Sequence, residues 1–274
     1  HVDSMAIPPE HLRDMELTGK AALVTGASRG VGAATALMLA RAGCDVAVNY
    51  NASPEAAGQV VDVCQEAGVR AIALQGDVAE DATCRKLVAE AANAFGRLDI
   101  LANNAGTTRF IDFPDLESVT DEVWERLFAV NLKGPFQCAR AARKHFAADG
   151  GGVIVNTASV AGIAGAGSCI PYAASKAALI NMTIALARTL GPEIRVNAVA
   201  PGFIEGDWLK AGLGADYESA RATKAAEGLL DEVSKPEDIA QGILAMVTAD
   251  KVTGHTLVVD AGHTMGPRLA HGIK

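Results

Sequence analysis

The sequence predicts an α/β fold: a doubly wound, seven-stranded parallel sheet with helices on both faces, in a single domain. Three observations predict it. Short β-type runs alternate with longer helical runs along the chain. The short runs are continuously apolar, as strands covered on both faces are. No Pro/Ser-rich or charge-run linker divides the 274 residues, although a rule of about 150 residues per domain leaves room for two.

The elements follow in order. Residues 21–25 form an apolar strand ending at a glycine turn, and 31–42 are helical in composition. Residues 45–49 are a strand. Helix 53–67 has Ser53 as its N-cap and Pro54 at its first position. Strand 71–74, amphipathic helix 80–95 and strand 98–102 come next. Residues 120–146 read as one long helix with charges on one face. Strand 152–157 follows three glycines, and helix 171–190 opens on Pro171. Strand 195–200, a helix over 236–248 capped near Ser234, and strand 256–259 complete the set. The segment 202–227 is irregular and glycine-punctuated, which suggests a lid. His1-Val2-Asp3-Ser4 ahead of Met5 reads as an expression-tag remnant. Residues 1–15 read as a loose arm, 16–266 as the domain and 267–274 as a tail.

Composition excludes several roles. With 24 basic and 32 acidic residues the net charge is −8, which argues against nucleic-acid binding by bulk electrostatics. At 50% hydrophobic and 20% charged, the chain is not a disordered one. No run of 18 apolar residues appears, so no membrane span is expected. The five cysteines, Cys44, Cys64, Cys84, Cys138 and Cys169, are odd in number and lack a CxxC pair. A disulfide framework or metal site is therefore not expected. With no signal-peptide pattern, the expected location is the cytoplasm.

Thr25-Gly26-Ala27-Ser28-Arg29-Gly30-Val31-Gly32 lies between a strand and a helix. Glycines there let backbone N–H groups approach a pyrophosphate at the positive helix end. The spacing, G-x3-G-x-G, differs from G-x-G-x-x-G, and a merely structural turn is the plain alternative. Two further turns fall at the same sheet edge. Asn103-Asn104-Ala105-Gly106 follows the fourth strand, and Asp77 follows the third, where its carboxylate could accept a bond from an adenine amino group. The second strand ends Val48-Asn49-Tyr50-Asn51, with no acid to bind a ribose 2′-hydroxyl. Arg29 offers a cation for a 2′-phosphate. NADP(H) is therefore favoured over NAD(H), and Asn49→Asp is expected to turn the preference towards NAD(H).

Tyr172 and Lys176 stand at i and i+4 on one helix face. A neighbouring ammonium favours phenolate, so the lysine is expected to lower the phenol's pKa. Ser159 lies just past strand 152–157, where a hydroxyl could hold a carbonyl oxygen beside that phenol. Asn131 sits inside a helix, where asparagine is a mediocre former.

Together, Thr25–Gly32, Asn103–Gly106, Asn131, Ser159, Tyr172 and Lys176 resemble the short-chain dehydrogenase/reductase family. Pro201-Gly202 and the ending Val252-Thr253-Gly254…Asp260-Ala261-Gly262-His263 are similar to it too. The likeness spans about residues 16–266 and is nearest in flavour to 3-oxoacyl-carrier-protein reductases. It implies a Rossmann-type fold and hydride transfer with a nicotinamide cofactor. By resemblance, Tyr172 is the acid/base, Lys176 bonds the nicotinamide ribose, Ser159 orients the substrate oxygen and Asn131 holds a relay water. Gly26, Ser28, Arg29, Gly30, Val31, Gly32 and Asn49 are assigned to the cofactor. So are Asp77 and Val78 at adenine, Asn103, Ala105 and Gly106 along the ribose, and Pro201, Gly202 and Ile204 at the nicotinamide end. The resemblance also implies a homotetramer paired through the helices 120–146 and 171–190.

The chain departs from the family at Gly206, where a threonine is usual. The stretches Ala147–Gly151 and Gly191-Pro192-Glu193 lack the arginines that grip an acidic carrier, which argues against acyl carrier protein as a partner. Arg140, Arg143 and Lys144 read as a solvated helix face. The substrate wall is assigned to Ala161, Cys169, Phe203, Trp208, Leu209 and Leu213. The expected substrate is a small, moderately apolar ketone or secondary alcohol. An NAD(H)-dependent alcohol or diol dehydrogenase is the alternative, and a catalytically idle nucleotide-binding scaffold is a remoter one.

Overall fold

The computed structural model describes residues 17–268. The expected arm 1–15, and residues 269–274 of the expected tail, lie outside the described residues. Seven strands form one sheet: β1 (Ala21–Val24), β2 (Asp45–Tyr50), β3 (Ala71–Gln75), β4 (Ile100–Asn103), β5 (Gly152–Thr157), β6 (Ile194–Pro201) and β7 (Thr256–Val259). Their order is β3-β2-β1-β4-β5-β6-β7 and every pairing is parallel. The fold class expected from sequence is the one observed.

Alternate strand residues feed opposite cores, as a two-residue pleat requires. Ala22 and Val24 join the core under α1 (Gly30–Arg41), α2 (Pro54–Glu66) and a later helix, Pro236–Thr248. Ala21 and Leu23 join the core under α3 (Asp81–Phe95). Both sets are buried, which is why these strands read as unbroken apolar runs. The sheet order reverses direction between β1 and β4, and Val24 registers with Ala102. The loops leaving these two strands therefore open side by side on one edge, the switch point where ligands of such sheets bind.

The expected long helix 120–146 is broken. α4 (Asp121–Phe128) runs into a π-helical turn, Ala129–Lys133, before α5 (Gly134–Ala148). Pro135 brings no N–H to the carbonyl of Asn131 four residues earlier, which interrupts the α-helical ladder there. A π-turn absorbs one extra residue and often marks a functional position. Phe146, Cys138 and Ala142 of α5 are buried against the second core.

The expected lid is helical rather than irregular. After the short α6 (Ala161–Ala164) and the long α7 (Ile170–Leu190), β6 leads into α8 (Asp207–Leu213) and α9 (Tyr217–Glu227). Gly206 and Gly214 bracket α8 at φ +150° and +54°, conformations that only glycine adopts readily. This backbone suits the glycine at position 206. α10 (Pro236–Thr248) has Lys235 as its N-cap, next to Ser234. The Lys235 N–H donates to Asp238 Oδ2 at 2.7 Å, and Ser234 is buried. Ser53 precedes α2 as expected but makes no side-chain cap bond.

Among the described residues one helix, α7, is long and apolar enough to cross a membrane by length and composition. Its Ser175, Lys176, Leu179, Thr183 and Leu190 are buried within the fold.

Candidate active site

The glycine loop is held from below by polar side chains. The Gly26 N–H donates to Asn49 Oδ1 at 3.1 Å, and Asn49 Nδ2 donates to the carbonyls of Leu74 and Gly76, each at 3.1 Å. Asn49 is buried, so its amide ties β1, β2 and β3 together and does not face a ribose. That removes the basis for an Asn49→Asp cofactor switch. Thr25 Oγ1 accepts the N–H groups of Asn104 and Ala105, each at 3.0 Å. Asn104 Nδ2 donates to the carbonyls of Thr25 and Gly26, each at 3.1 Å. Sequence reasoning missed Thr25 and Asn104 as the clasp between the two loops.

The glycines are required by close approach. A Cβ on Gly26 would lie 2.8 Å from Ala105 Cα, and one on Gly32 would lie 2.3 Å from the Gly26 carbonyl oxygen. Gly30 opens on free space at φ +55°. α1 starts without a side-chain cap, so the N–H groups of its first turn, from Gly30 to Gly32, have no intrahelical acceptor and suit an anion. Ser28 is half-buried and Arg29 exposed at this mouth. The loop therefore fits a dinucleotide's pyrophosphate.

The other expected cofactor residues divide. Asp77 Oδ1 accepts the Ala79 N–H at 2.9 Å and Oδ2 pairs with Arg126 at 2.8 Å. Val78 is buried behind it. Asn103, expected along the ribose, is buried. Its amide donates to Asn156 Oδ1 at 2.9 Å and to the Pro135 carbonyl at 3.3 Å. Asn156 in turn donates to Thr183 Oγ1 at 2.9 Å, so Asn103 fastens β4 to β5 and α7. The Pro201 carbonyl accepts the Val160 N–H at 2.9 Å, which joins the ends of β5 and β6. A Cβ on Gly202 would lie 2.7 Å from Asp260 Cβ. Ile204 is bridged to Ser234.

Tyr172, Lys176, Ser159 and Asn131 come together. The Ser159 hydroxyl lies close enough to the Tyr172 phenol to lower its pKa. Ser159 Oγ also accepts the Ala161 N–H at 3.1 Å, which fixes its rotamer. Lys176 Nζ donates to the Thr157 carbonyl at 2.7 Å and lies 5.7 Å from the Tyr172 ring centroid. Asn131 Oδ1 accepts the Thr107 N–H at 2.9 Å. Its Nδ2 donates to the Thr107 carbonyl at 3.0 Å and to Ser175 Oγ at 3.1 Å. Both amide hydrogens are thus committed to the protein, and the side chain has none left for a relay water. A Cβ on Gly106 would lie 3.6 Å from Asn131 Oδ1 and 3.7 Å from Lys176 Nζ. Gly106, at the end of the β4 loop, therefore stands beside Asn131 and Lys176.

The electrostatics differ from expectation. Burial pushes the Tyr172 phenol up to about 12, against a lowering by the Ser159 hydroxyl. Burial pushes Lys176 down to about 8. Loss of hydration is the dominant cause for both groups. At neutral pH the phenol carries its proton.

The substrate wall is partly as expected. Trp208 meets the Tyr172 ring edge to face, with centroids 6.4 Å apart and planes at 87°. Phe203 instead packs on Tyr217 at 6.0 Å. Cys169 is buried with its Sγ 4.0 Å from Thr108 Oγ1, a packing position. Ala161 is buried, and Leu209 and Leu213 are half-buried on α8. Sequence reasoning missed Phe110. Its ring lies where a Cβ on Gly212 would fall, 1.9 Å from the nearest ring carbon.

A doubly wound sheet with a glycine cradle at its switch point and a Ser-Tyr-Lys cluster beside it defines a class of nucleotide-dependent oxidoreductases. The model of the short chain dehydrogenase family matches residues 20–213, and the chain belongs to the short-chain dehydrogenase/reductase family. It is similar to a Streptomyces violaceoruber protein named for ketoacyl reduction in the granaticin polyketide synthase. The two are 41% identical over 242 residues, covering 88% of this chain and 94% of that one. It is 38% identical over 257 residues to a 3-oxoacyl-[acyl-carrier-protein] reductase of Staphylococcus aureus, covering 92% and 100%. Among solved structures, a short chain dehydrogenase from Burkholderia cenocepacia in complex with NADP matches with a TM-score of 0.83. That pair shares 38% identity and covers 91% of this chain and 99% of the other. The protein is an NAD(P)-dependent short-chain dehydrogenase/reductase.

Proposed function

We propose that the protein reduces a small, moderately apolar ketone with NADPH, or oxidises the corresponding secondary alcohol, with Tyr172 as acid/base. The observation that carries this reading is the convergence of Ser159, a Tyr172 phenol protonated at neutral pH and Lys176 beside the glycine cradle. The bound nicotinamide supplies the hydride. Ser159 and Tyr172 donate hydrogen bonds to the carbonyl oxygen as it gains charge, and Tyr172 hands it the proton. Lys176 uses one N–H on Thr157, and its remaining hydrogens suit the hydroxyls of a ribose.

Three features support NADP(H). β2 ends without an acid, and Arg29 and Asn51 are exposed. Ser53 carries an uncommitted hydroxyl at the start of α2. The five free thiols are all buried, which suits a reducing cytoplasm. The half-exposed Ile184 and Phe136 on α7 and α5 support association of copies as a tetramer.

Fluorescence titration with NADPH and NADH tests the cofactor, and Tyr172→Phe tests the chemistry. NADPH is expected to bind at least tenfold more tightly. Tyr172→Phe is expected to lose about a thousandfold in turnover while NADPH affinity stays within twofold. Tighter NADH binding would move the reading to an NAD(H)-dependent alcohol dehydrogenase. Retained turnover in Tyr172→Phe would remove Tyr172 from the mechanism.

A further inference from the structure

The Asp77 turn is fastened to the glycine cradle. The Gly76 carbonyl, one residue before Asp77, accepts Asn49 Nδ2 at 3.1 Å, and Asn49 Oδ1 accepts the Gly26 N–H at 3.1 Å. Asp77 also lies just past the carboxyl end of β3, on the ligand edge of the sheet. Its carboxylate is held on both oxygens. Oδ1 accepts the Ala79 N–H at 2.9 Å, and Oδ2 pairs with Arg126 at 2.8 Å. These two bonds fix the carboxylate plane. Each oxygen has a second lone pair for a donor, and 30% of the side chain is exposed to one.

Arg126 is 47% exposed, and an ion pair this open adds at most about 1 kcal/mol to stability. Its place in the chain matters more. Arg126 is in the last turn of α4, three residues ahead of the π-helical turn Ala129–Lys133. Directly after that turn, Gly134 lies against Val78. A Cβ on Gly134 would be 2.9 Å from the Val78 carbonyl oxygen and 3.0 Å from Val78 Cγ2. Asp77 and Val78 therefore grip the π-turn at both ends, one by charge and one by close packing. Between the two grips sits Asn131, whose amide holds Thr107 and Ser175. Ser175 Oγ donates to the Tyr172 carbonyl at 2.8 Å. A continuous line of contacts thus runs from Asp77 to the helix of the tyrosine.

We propose that Arg126 is a positioning residue: it aims the Asp77 carboxylate at the amino group of the cofactor's adenine, and through the grip on the π-turn it couples adenine binding to the segment that carries Asn131. The inference rests on the nicotinamide-cofactor part of the reading above. It holds for NADPH and NADH alike, because both carry the adenine.

The test compares NADPH with its hypoxanthine analogue, in which a carbonyl oxygen replaces the 6-amino group and an acceptor replaces a donor. Calorimetry gives both dissociation constants for the wild type, Arg126→Gln and Arg126→Lys. Mass spectrometry follows hydrogen exchange in residues 129–133 with each cofactor at saturation. The wild type is expected to prefer NADPH about tenfold, the worth of a hydrogen bond to a charged acceptor. Arg126→Gln is expected to bring the preference to within about threefold, with the melting temperature little changed, and Arg126→Lys to restore most of it. In the wild type NADPH slows exchange in 129–133 more than the analogue does, and in Arg126→Gln the two slow it equally. An arginine with only a structural role would weaken both cofactors alike, so an unchanged preference in Arg126→Gln overturns the inference. Equal slowing by the two cofactors in the wild type overturns it too. In both cases a wild type that still binds NADPH and reduces a ketone leaves the reductase reading standing. If NADH binds more tightly than NADPH, the NADPH reading falls and the inference is decided by the same ratio taken with NADH and its hypoxanthine analogue. A wild type that binds neither cofactor overturns both.

Discussion

The two sides of the cleft are built on opposite plans. On the cofactor side, Thr25, Asn49 and Asn104 use nearly every side-chain hydrogen bond on backbone, and Asn49 is fully enclosed. On the lid side, Trp208 and Phe110 stand partly in water and are held by ring contacts and one bare glycine. Hydrogen-bonded loops keep one shape, because each buried polar group left unpaired costs about 1–3 kcal/mol. Apolar contacts are less directional and can be traded for contacts with a ligand. The molecule thus fixes the glycine-loop side by hydrogen bonds and leaves the lid side held by less directional contacts.

This contrast can be broken most severely at Asn49. Replacing its amide by a carboxylate would remove both donors to Leu74 and Gly76 and bury a charge facing two carbonyl oxygens. Asn49→Asp is expected to destabilise the fold by about 4 kcal/mol and to weaken NADPH and NADH alike. Urea denaturation and paired titrations measure it. A stable variant that has switched to NADH would show that the cradle tolerates a looser clasp.

The site between the two sides contributes a pH dependence with a defined sign. Lys176 is held at about 8 in the fold, against 10.5 when free. Between those values the unfolded chain keeps a proton that the folded chain has released, so stability rises with pH from about 8 to 10.5. Tyr172, raised from 10 to about 12, works in the reverse sense above pH 10. The stability difference between the wild type and Lys176→Met is expected to change by up to about 3 kcal/mol across pH 8–10.5, in favour of the wild type, read from denaturation midpoints. A constant difference would mean that Lys176 stays charged within the fold.

The smallest effect is expected on the lid side. Gly212→Ala places a methyl into the Phe110 ring. α8 or Phe110 must shift, at a stability cost of about 1 kcal/mol, and NADPH affinity should stay unchanged. A matching loss of NADPH affinity would show that lid and cradle are mechanically joined.

The strands were legible because a sheet covered on both faces needs continuous apolar runs, as in Val46–Ala47–Val48. The proposed catalytic residues could be picked out because Tyr172 and Lys176 share a helix face. The direction of the polar side chains at the edge was not. Nothing local distinguishes Asn103, which turns into a buried chain with Asn156 and Thr183, from Asn104, which clasps the glycine loop. Phe110 and Gly212 meet from distant parts of the chain, a contact no periodicity announces. The break near Asn131 did carry a signal in Pro135, masked by the good helix formers on either side.

That break also ties two otherwise separate parts of the chain to a single count. Deleting one residue from Ala129–Lys133 would restore a regular α-helix and turn everything beyond it by roughly 100°. Cys138, Ala142 and Phe146 would then leave the core they fill. The number of residues in the loop of helix that carries Asn131 is therefore as constrained as their identity, and a length change there would be read out in the packing of α5 long before it reached the chemistry.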